Sequence, residues 1–468
     1  MLKKNKLIAL LLSSVMAAGA VTACSPATPS ETAVSSETTE TSQTEPEVTE
    51  TTAVPDDLEG YKELDVADVS DKDDGKIVIY SYNSEFVGLA EKYAGITGDD
   101  YSFVQVQDSD DYQEKLDEVL SSGEDAPDIF VCDASYAKKY LDSGYVLAIN
   151  ELGIDYSECT DMFDYTLRFA SDSDSVIRGL SWKACPCGVF YERSVAEKYL
   201  GTSDPEELAA SFDSWDSIME SAKKVNTGSD GSVKLISGYT ELYNAFLASR
   251  SSAWTVNGKL NIDPGVEKLF DYAKKLYDEE LTFNDERWTG AWWDRMSDRS
   301  VVSFWGSLQF ARYQMDLNPG EGTTVNPTSG DWGLTSAPVS YYNGGCWVMV
   351  SKYCTRKAAA ADIIRAVCLN EDNLRDMVNR GEFVNSISLM TEASQDDKFC
   401  LEWLGGQNPY AILLESALNA DASTAMAGEG SFEVAFNAVI GAYCEGAFDS
   451  VKEAEDAFKE QLTEDGLI

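Results

Sequence analysis

Four short apolar runs, "KIVIY", "DIFVC", "SVVSFWG" and "CWVMVS", lie between residues 76 and 351, separated by longer stretches with helical periodicity. Consecutive apolar residues over so few positions suit strands buried on both faces. In "DYQEKLDEVLSSG" the spacing puts Tyr112, Leu116, Val119 and Leu120 on one helical face, and Gly123 follows as a stop. "SYAKKYLDSG" repeats the form and ends at Gly144. "DPGVEKLFDYAKKLYDEE" offers Asp263 as N-cap, Pro264 in the first turn and a stripe of Val266, Leu269, Phe270, Ala273 and Leu276. "SVKEAEDAFKEQL" is the last helix of the chain. Strands alternating with helices of this length predict an α/β fold with parallel sheets covered by helices on both faces. Ligands of such sheets bind outside the carboxyl ends of the strands. Tyr82, Asn83 and Glu85, directly after the first run, occupy that position.

The amino terminus reads "MLKKNKLIALLLSSVMAAGAVTAC", with three lysines, one apolar run from Leu7 to Val21 and a terminal cysteine. The apolar run is shorter than the roughly 20 residues a spanning helix needs, and a polar tract follows it, so residues 1–23 are expected to be a cleaved secretory signal. Val21-Thr22-Ala23-Cys24 resembles the lipobox of bacterial lipoproteins, which implies diacylglyceryl modification, and palmitate, at Cys24. Two acyl chains suffice for stable anchoring where one does not. Residues 24–57, almost wholly Ser, Thr, Glu and Pro, cannot bury enough apolar surface to offset chain entropy and are expected to be a disordered tether on the extracellular face of the cell membrane.

From Leu58 onward the composition turns globular, and about 400 residues exceed one compact core, so two lobes are expected. A formal net charge of −45 repels a polyanion and argues against nucleic acid. Ten cysteines less the lipidated Cys24 leave an odd number, and several sit inside apolar runs, where cysteine behaves as a small hydrophobe. Mostly reduced core thiols are expected.

There is no histidine in the chain. Ser-His-Asp and Cys-His nucleophile systems, HExxH metal sites and histidine acid–base catalysis are thereby removed together. No phosphate-binding P-loop motif occurs, and Cys185 and Cys187 are too close for a CxxC pair, so neither metal nor cofactor is expected. Acidic residues abound, but nothing marks one pair of them for glycoside hydrolysis. What stands out is tryptophan in polar, glycine-broken surroundings: "GLSWKACPCG", "SRSSAWTVNG", "ERWTGAWWDRM", "SFWGSLQ" and "NGGCWVM". An indole face suits the C–H face of a sugar ring, and neighbouring polar side chains can fix its hydroxyls. On this ground Trp254 and Trp292 join Tyr82 as candidate contacts; adjacent Trp292 and Trp293 cannot both face one ligand.

The order of features along the chain resembles the extracellular solute-binding proteins of family 1, sugar-binding lipoproteins of ABC importers related to maltose-binding protein. The residues that carry the resemblance are "KIVIYSYNSEFVGLAEKYAGITG", "EDAPDIFVCDASYAKKYLDSGYVLAINELGI", "GLSWKACPCGVFYERSVAEKYLG", "FDSWDSIMESAKK", "RSVVSFWGSLQFARY" and "APVSYYNGGCWVMVSKYCTRKAAAADIIRAVC". It implies a two-lobed, type II periplasmic-binding-protein-like fold, each lobe a mainly parallel sheet flanked by helices, with a ligand cleft between them. Residues 58–183 with about 303–345 would form lobe 1, and about 184–302 with 346–468 lobe 2. It also implies ligand contacts at Asn83, Glu85, Asp133, Trp182, Tyr243, Asn244, Trp305, Gly344, Gly345 and Trp347. The chain departs from the family at Gly306-Ser307-Leu308, where a tryptophan is often found; Trp305 lies two positions before Ser307.

The implied role is a monomeric, lipid-anchored receptor without enzymatic activity that captures a carbohydrate, an oligosaccharide, by hinge closure and delivers it to ABC permease subunits. The alternatives are a lipid-anchored glycosidase using two cleft carboxylates, and a binding protein for a peptide or polyamine.

Overall fold

The computed structural model describes residues 58, 60–62, 64–316 and 327–468. The expected signal segment 1–23, the lipidation at Cys24 and the tether 24–57 lie outside the described residues.

The strands are β1 (Ile77–Ser81), β2 (Tyr101–Gln105), β3 (Ile129–Asp133), β4 (Cys187–Glu192), the short β5 (Thr255–Val256) and β6 (Lys259–Leu260), β7 (Ser303–Ser307), β8 (Trp332–Thr335) and β9 (Cys346–Val350). They make a four-stranded sheet of order β2-β1-β3-β9, a three-stranded sheet of order β7-β4-β8 and the β5-β6 hairpin. β1 runs parallel to β2 and β3, whereas β9 lies antiparallel to β3. All four apolar runs of the sequence are strands, and β7 and β9 are buried at every residue.

Two expectations are corrected by the strand pairing. The second sheet is antiparallel throughout: β4 starts beside the crossing at Pro186, and β7 and β8 run back toward that end, Ser307 opposite Cys187 and Thr335 opposite Val189. The assignment of strands to lobes is also exchanged. β7, expected in lobe 1, pairs with β4, and β9, expected in lobe 2, pairs with β3. After β8 the chain passes Tyr342, bridged to Pro186, and enters the first sheet with Cys346 opposite Asp133. A buried apolar run carries the signature of a strand without saying which sheet it joins, because both sheets present apolar faces on both sides.

The helices follow the sequence closely. Asp108 caps Ser109–Ser122 by accepting from Asp110 N and Asp111 N, the buried face is Tyr112, Leu116, Val119 and Leu120, and Gly123 ends it in the left-handed conformation. Asp263 caps Pro264–Asp278 in the same way, with Val266, Leu269, Phe270, Ala273 and Leu276 buried. Two apolar cores result. One surrounds the first sheet and continues to one face of the second; the other fills the opposite face. Along β4 the alternation is direct, Phe190 entering the first core and Val189 and Tyr191 the second. The nine cysteines of the described residues are free thiols, and all but Cys400 are buried. No helix among the described residues is long and apolar enough to cross a membrane.

Candidate ligand-binding cleft

A cavity of about 450 Å³ lies where the carboxyl ends of β1 and β3 face the second sheet. That volume is within the range of small-molecule sites, roughly 300–1,000 Å³. Tyr82 and Asp133 form one wall with the start of the helix Ala134–Leu141; Asn244, Arg250, Trp288, Gln309, Phe310, Glu429 and Glu433 form the other; and Cys185 and Tyr342–Cys346, from the crossing segments, lie between.

The first wall is rigid because strand ends and a helix cap hold it. Asp133 ends β3 and caps the next helix, its Oδ1 accepting from Ser135 N at 3.0 Å and Ser135 Oγ at 2.7 Å. Burial raises its carboxyl above the ordinary range despite those two bonds. Tyr82 Oη and Cys346 Sγ share a hydrogen bond at 2.7 Å. Gly344 and Gly345 have φ of +85° and +117°, and a Cβ on Gly345 would stand 2.8 Å from the Trp347 ring, so this turn requires glycine. Beside it the Tyr342 ring stacks on Tyr165 at 5.0 Å and meets Phe169 edge-on at 6.2 Å.

The second wall is built on a buried carboxylate. Glu241 accepts from the indole N–H of Trp292 and, at 3.0 Å, from the backbone N–H of Trp305. Burial pushes its carboxyl up, and Arg287 opposes that shift. The Arg287 guanidinium lies 5.4 Å from the Trp288 ring centre and 5.3 Å from that of Phe310. Trp288 meets Phe310 edge-on at 5.6 Å. With φ of +68° and 47 % of its surface exposed, Trp288 is the more exposed of the two aromatics, with Phe310, that this wall presents to the cavity. A non-glycine residue held at positive φ is a form of strain that clusters at ligand sites.

Of the residues expected to contact a ligand, Tyr82, Asp133, Asn244, Gly344 and Gly345 line this cavity. The tryptophans require correction: Trp182, Trp254, Trp292, Trp305 and Trp347 are buried core residues, and Tyr243 is buried beneath Asn244. Four of them meet aromatic partners from distant segments, Trp182 against Phe86, Trp254 against Phe432, Phe436 and Phe458, Trp305 against Phe212 and Trp347 against Phe169, while Trp292 lies behind Trp288 and Phe310 of the cavity wall. Asn83 Oδ1 accepts from Glu85 N at 3.1 Å in a local turn, and the Glu85 carboxylate is taken by Lys183. Sequence reading missed Trp288, Phe310, Tyr342, Arg250, Glu429 and Glu433. Trp288 stands directly before Thr289, the N-cap of Gly290–Asp298, in one of the tryptophan-bearing polar stretches of the sequence.

Among the described residues no group of three or more Cys, Asp or Glu is placed to hold a metal ion.

Residues 88–400 match the bacterial extracellular solute-binding proteins. Sequence comparison with curated proteins gives no match. Among solved structures, an extracellular solute-binding protein of family 1 is similar with a TM-score of 0.71 at 15% identity, over 83% of this chain and 99% of that one. The galacto-N-biose-/lacto-N-biose I-binding protein of the ABC transporter from Bifidobacterium longum, in complex with lacto-N-biose, gives 0.65 at 18% identity, over 84% of this chain and 99% of that one. The ABC transporter associated binding protein from B. animalis subsp. lactis Bl-04, in complex with β-1,6-galactobiose, gives 0.62 at 20% identity, over 84% and 98%. At these identities the likeness establishes a shared two-lobed α/β fold.

Proposed function

The chain belongs to the bacterial extracellular solute-binding proteins, and from that premise we propose that it captures a carbohydrate in the cleft between its lobes and passes it, chemically unchanged, to the permease of an ABC transporter. The observation that carries this reading is the lining of the cavity. Tyr82 and Phe169 on one side, Trp288 and Phe310 on the other and Tyr342 from the crossing segment between them bring aromatic rings from both lobes to one space, interleaved with Asp133, Asn244, Arg250 and Gln309. Rings supply apolar faces for pyranose C–H groups, and amide, guanidinium and carboxylate groups supply the directed hydrogen bonds that hydroxyls need. Hinge closure about the crossing segments at Cys185 and Tyr342–Cys346 would enclose a bound sugar. Cys24 would hold the protein at the outer face of the cell membrane, and the tether 24–57 would give it reach.

The test is titration of the protein with mono- and oligosaccharides, lacto-N-biose and β-1,6-galactobiose among them, followed by tryptophan fluorescence and chromatography of the recovered sugar. Saturable binding with the sugar recovered intact is expected. A cleaved sugar would replace the receptor with a glycosidase, and absence of any response would remove carbohydrate as the ligand class.

A further inference from the structure

The charged groups of the cleft are unevenly paired. Four carboxyls line the cavity, those of Asp133, Asp421, Glu429 and Glu433, with three cations, Lys138, Lys139 and Arg250. Each cation is already held. Arg250, its side chain 5 % exposed, donates Nη2 to Glu429 and Nε to Leu247 O at 3.0 Å. Nη1 alone lacks a partner, which offers a hydroxyl oxygen one donor and not the two-pronged grip that arginine uses on a carboxylate. Lys138 is held by Ser171 O and by Asp142 at 3.4 Å, and Lys139 by Asp117 at 2.6 Å, both acids outside the cavity. Lys183 and Arg287, outside the lining, are held by Glu85 and Glu382 and by Glu241.

Among the described residues, no ion pair reaches the other three carboxyls. Asp133 accepts from Ser135 at the end of β3, and Asp421 from Ser423 N at 2.8 Å and Ser423 Oγ at 2.7 Å. Glu433 stands one helical turn after Glu429 in the helix Glu429–Cys444, and Arg250, which pulls on it, is already paired with Glu429. Burial, and then the repulsion of Glu429, pushes the Glu433 carboxyl up to about 8. The cleft thus resists even the second carboxylate that its own helix supplies. A carboxylate brought by a ligand meets the same desolvation with no cation left to offset it. A hydroxyl meets no such resistance, because it donates to a carboxylate and accepts from Arg250 Nη1 or the Asn244 amide. Lys139, with 39 % of its side chain exposed, is the cation best able to turn inward, and even there one ammonium faces three unpaired carboxyls.

We propose that the cleft selects its ligand by charge, taking uncharged sugars and refusing those that carry a carboxylate, with Asp133, Asp421 and Glu433 as the residues that set the refusal. This inference rests on the carbohydrate reading and narrows it to neutral saccharides. Like charges brought together on binding suppress a wrong partner without adding any contact to the right one. The formal net charge of −45 acts in the same direction at longer range.

The experiment uses the full-length chain and three matched forms of one disaccharide. The first is the tightest binder of a neutral panel that contains lacto-N-biose and β-1,6-galactobiose. The second is its uronate, with a free primary alcohol oxidised to the carboxylate, and the third is the amide of that uronate, which keeps the shape without the charge. In calorimetric titration at pH 7 and low salt, the uronate should bind at least about tenfold more weakly than the amide. The double variant Asp421→Asn, Glu433→Gln should narrow that gap. A uronate that binds the natural chain as tightly as its amide overturns the proposal and leaves the carbohydrate reading standing. A gap unchanged in a double variant that melts like the natural chain overturns the assignment to these carboxyls. If no sugar of the panel binds, the carbohydrate reading falls and this inference falls with it.

Discussion

Lys183 Nζ stands 2.5 Å from Glu85 Oε1 and 3.0 Å from Glu382 Oε2, its side chain only 3 % exposed. Three segments far apart in sequence meet at that ammonium: the turn after β1, the stretch leading into the lobe crossing, and the loop before the helix Ile387–Ser394. Burial alone would lower the ammonium, but Glu85 and Glu382 outweigh it and hold Lys183 above its usual range.

Lys183→Met therefore keeps the volume and strands two carboxylates beside an apolar stem. Removing one partner of a buried pair costs about 3–5 kcal/mol, and the partial exposure of Glu85 puts the expectation at the low end. Equilibrium urea unfolding should show the midpoint fall at unchanged slope. An unchanged midpoint would mean that the two carboxylates find water or each other's proton without cost.

Trp288 and Trp254 separate the cleft from the core. Trp288→Ala removes a half-exposed ring that lines the cavity, so sugar affinity should drop about 30-fold, as for an aromatic anchor contributing about 2 kcal/mol, while thermal stability falls far less than in a core variant. Trp254→Ala empties a site closed by Phe436 and Phe458 and should cost about 3–5 kcal/mol of stability. Paired binding and unfolding curves on both variants read the distinction directly; loss of stability in Trp288→Ala with affinity retained would reverse the assignment.

These two tryptophans also mark how far the sequence can be read. "SRSSAWTVNG" and "ERWTGAWWDRM" look equally polar, because what buries Trp254 is a set of phenylalanines from residues 432–458, and nothing near it in sequence announces them. Helix faces such as Leu116-Val119-Leu120 were legible because their burial follows from local periodicity. Tyr82 was legible because it follows the carboxyl end of a strand, where fold topology opens a cavity, whereas Asp133 and Gly344-Gly345 were implied by the family resemblance. The lobe that β7 and β9 join depends on long-range pairing, and so does the meeting of Arg250 with Glu429 and Glu433. Neither leaves a local pattern.

Glu192 makes stability depend on pH. It ends β4 fully buried, neither carboxyl oxygen has a hydrogen-bond partner, and Arg299 Nη1 is 3.4 Å away. Burial outweighs Arg299 and raises the carboxyl to about 8. A raised acid binds its proton more tightly in the folded chain than in the unfolded one, so its contribution is most favourable at low pH. It declines from about pH 4.5, the ordinary glutamate value, to about 8. Thermal unfolding of Glu192→Gln should match the natural chain near pH 5 and exceed it at pH 8; parallel curves at all pH values would place the ionised form comfortably beside Arg299.

The nine thiols should react unequally. Cys400 is partly exposed, whereas Cys159, Cys185, Cys354 and Cys444 are pushed up to about 12 by burial and Cys132, Cys187 and Cys368 well above their ordinary value. Only the thiolate attacks, so access and acidity act in the same direction. Brief treatment of the native protein with iodoacetamide at pH 8, followed by peptide mass spectrometry, should find the label at Cys400 and little at the other eight. Cys185 and Cys346 are the informative pair, because they line the ligand cavity while being nearly buried. Rapid labelling there would mean that the cleft opens wide enough to hydrate its floor, and a bound sugar should then suppress it.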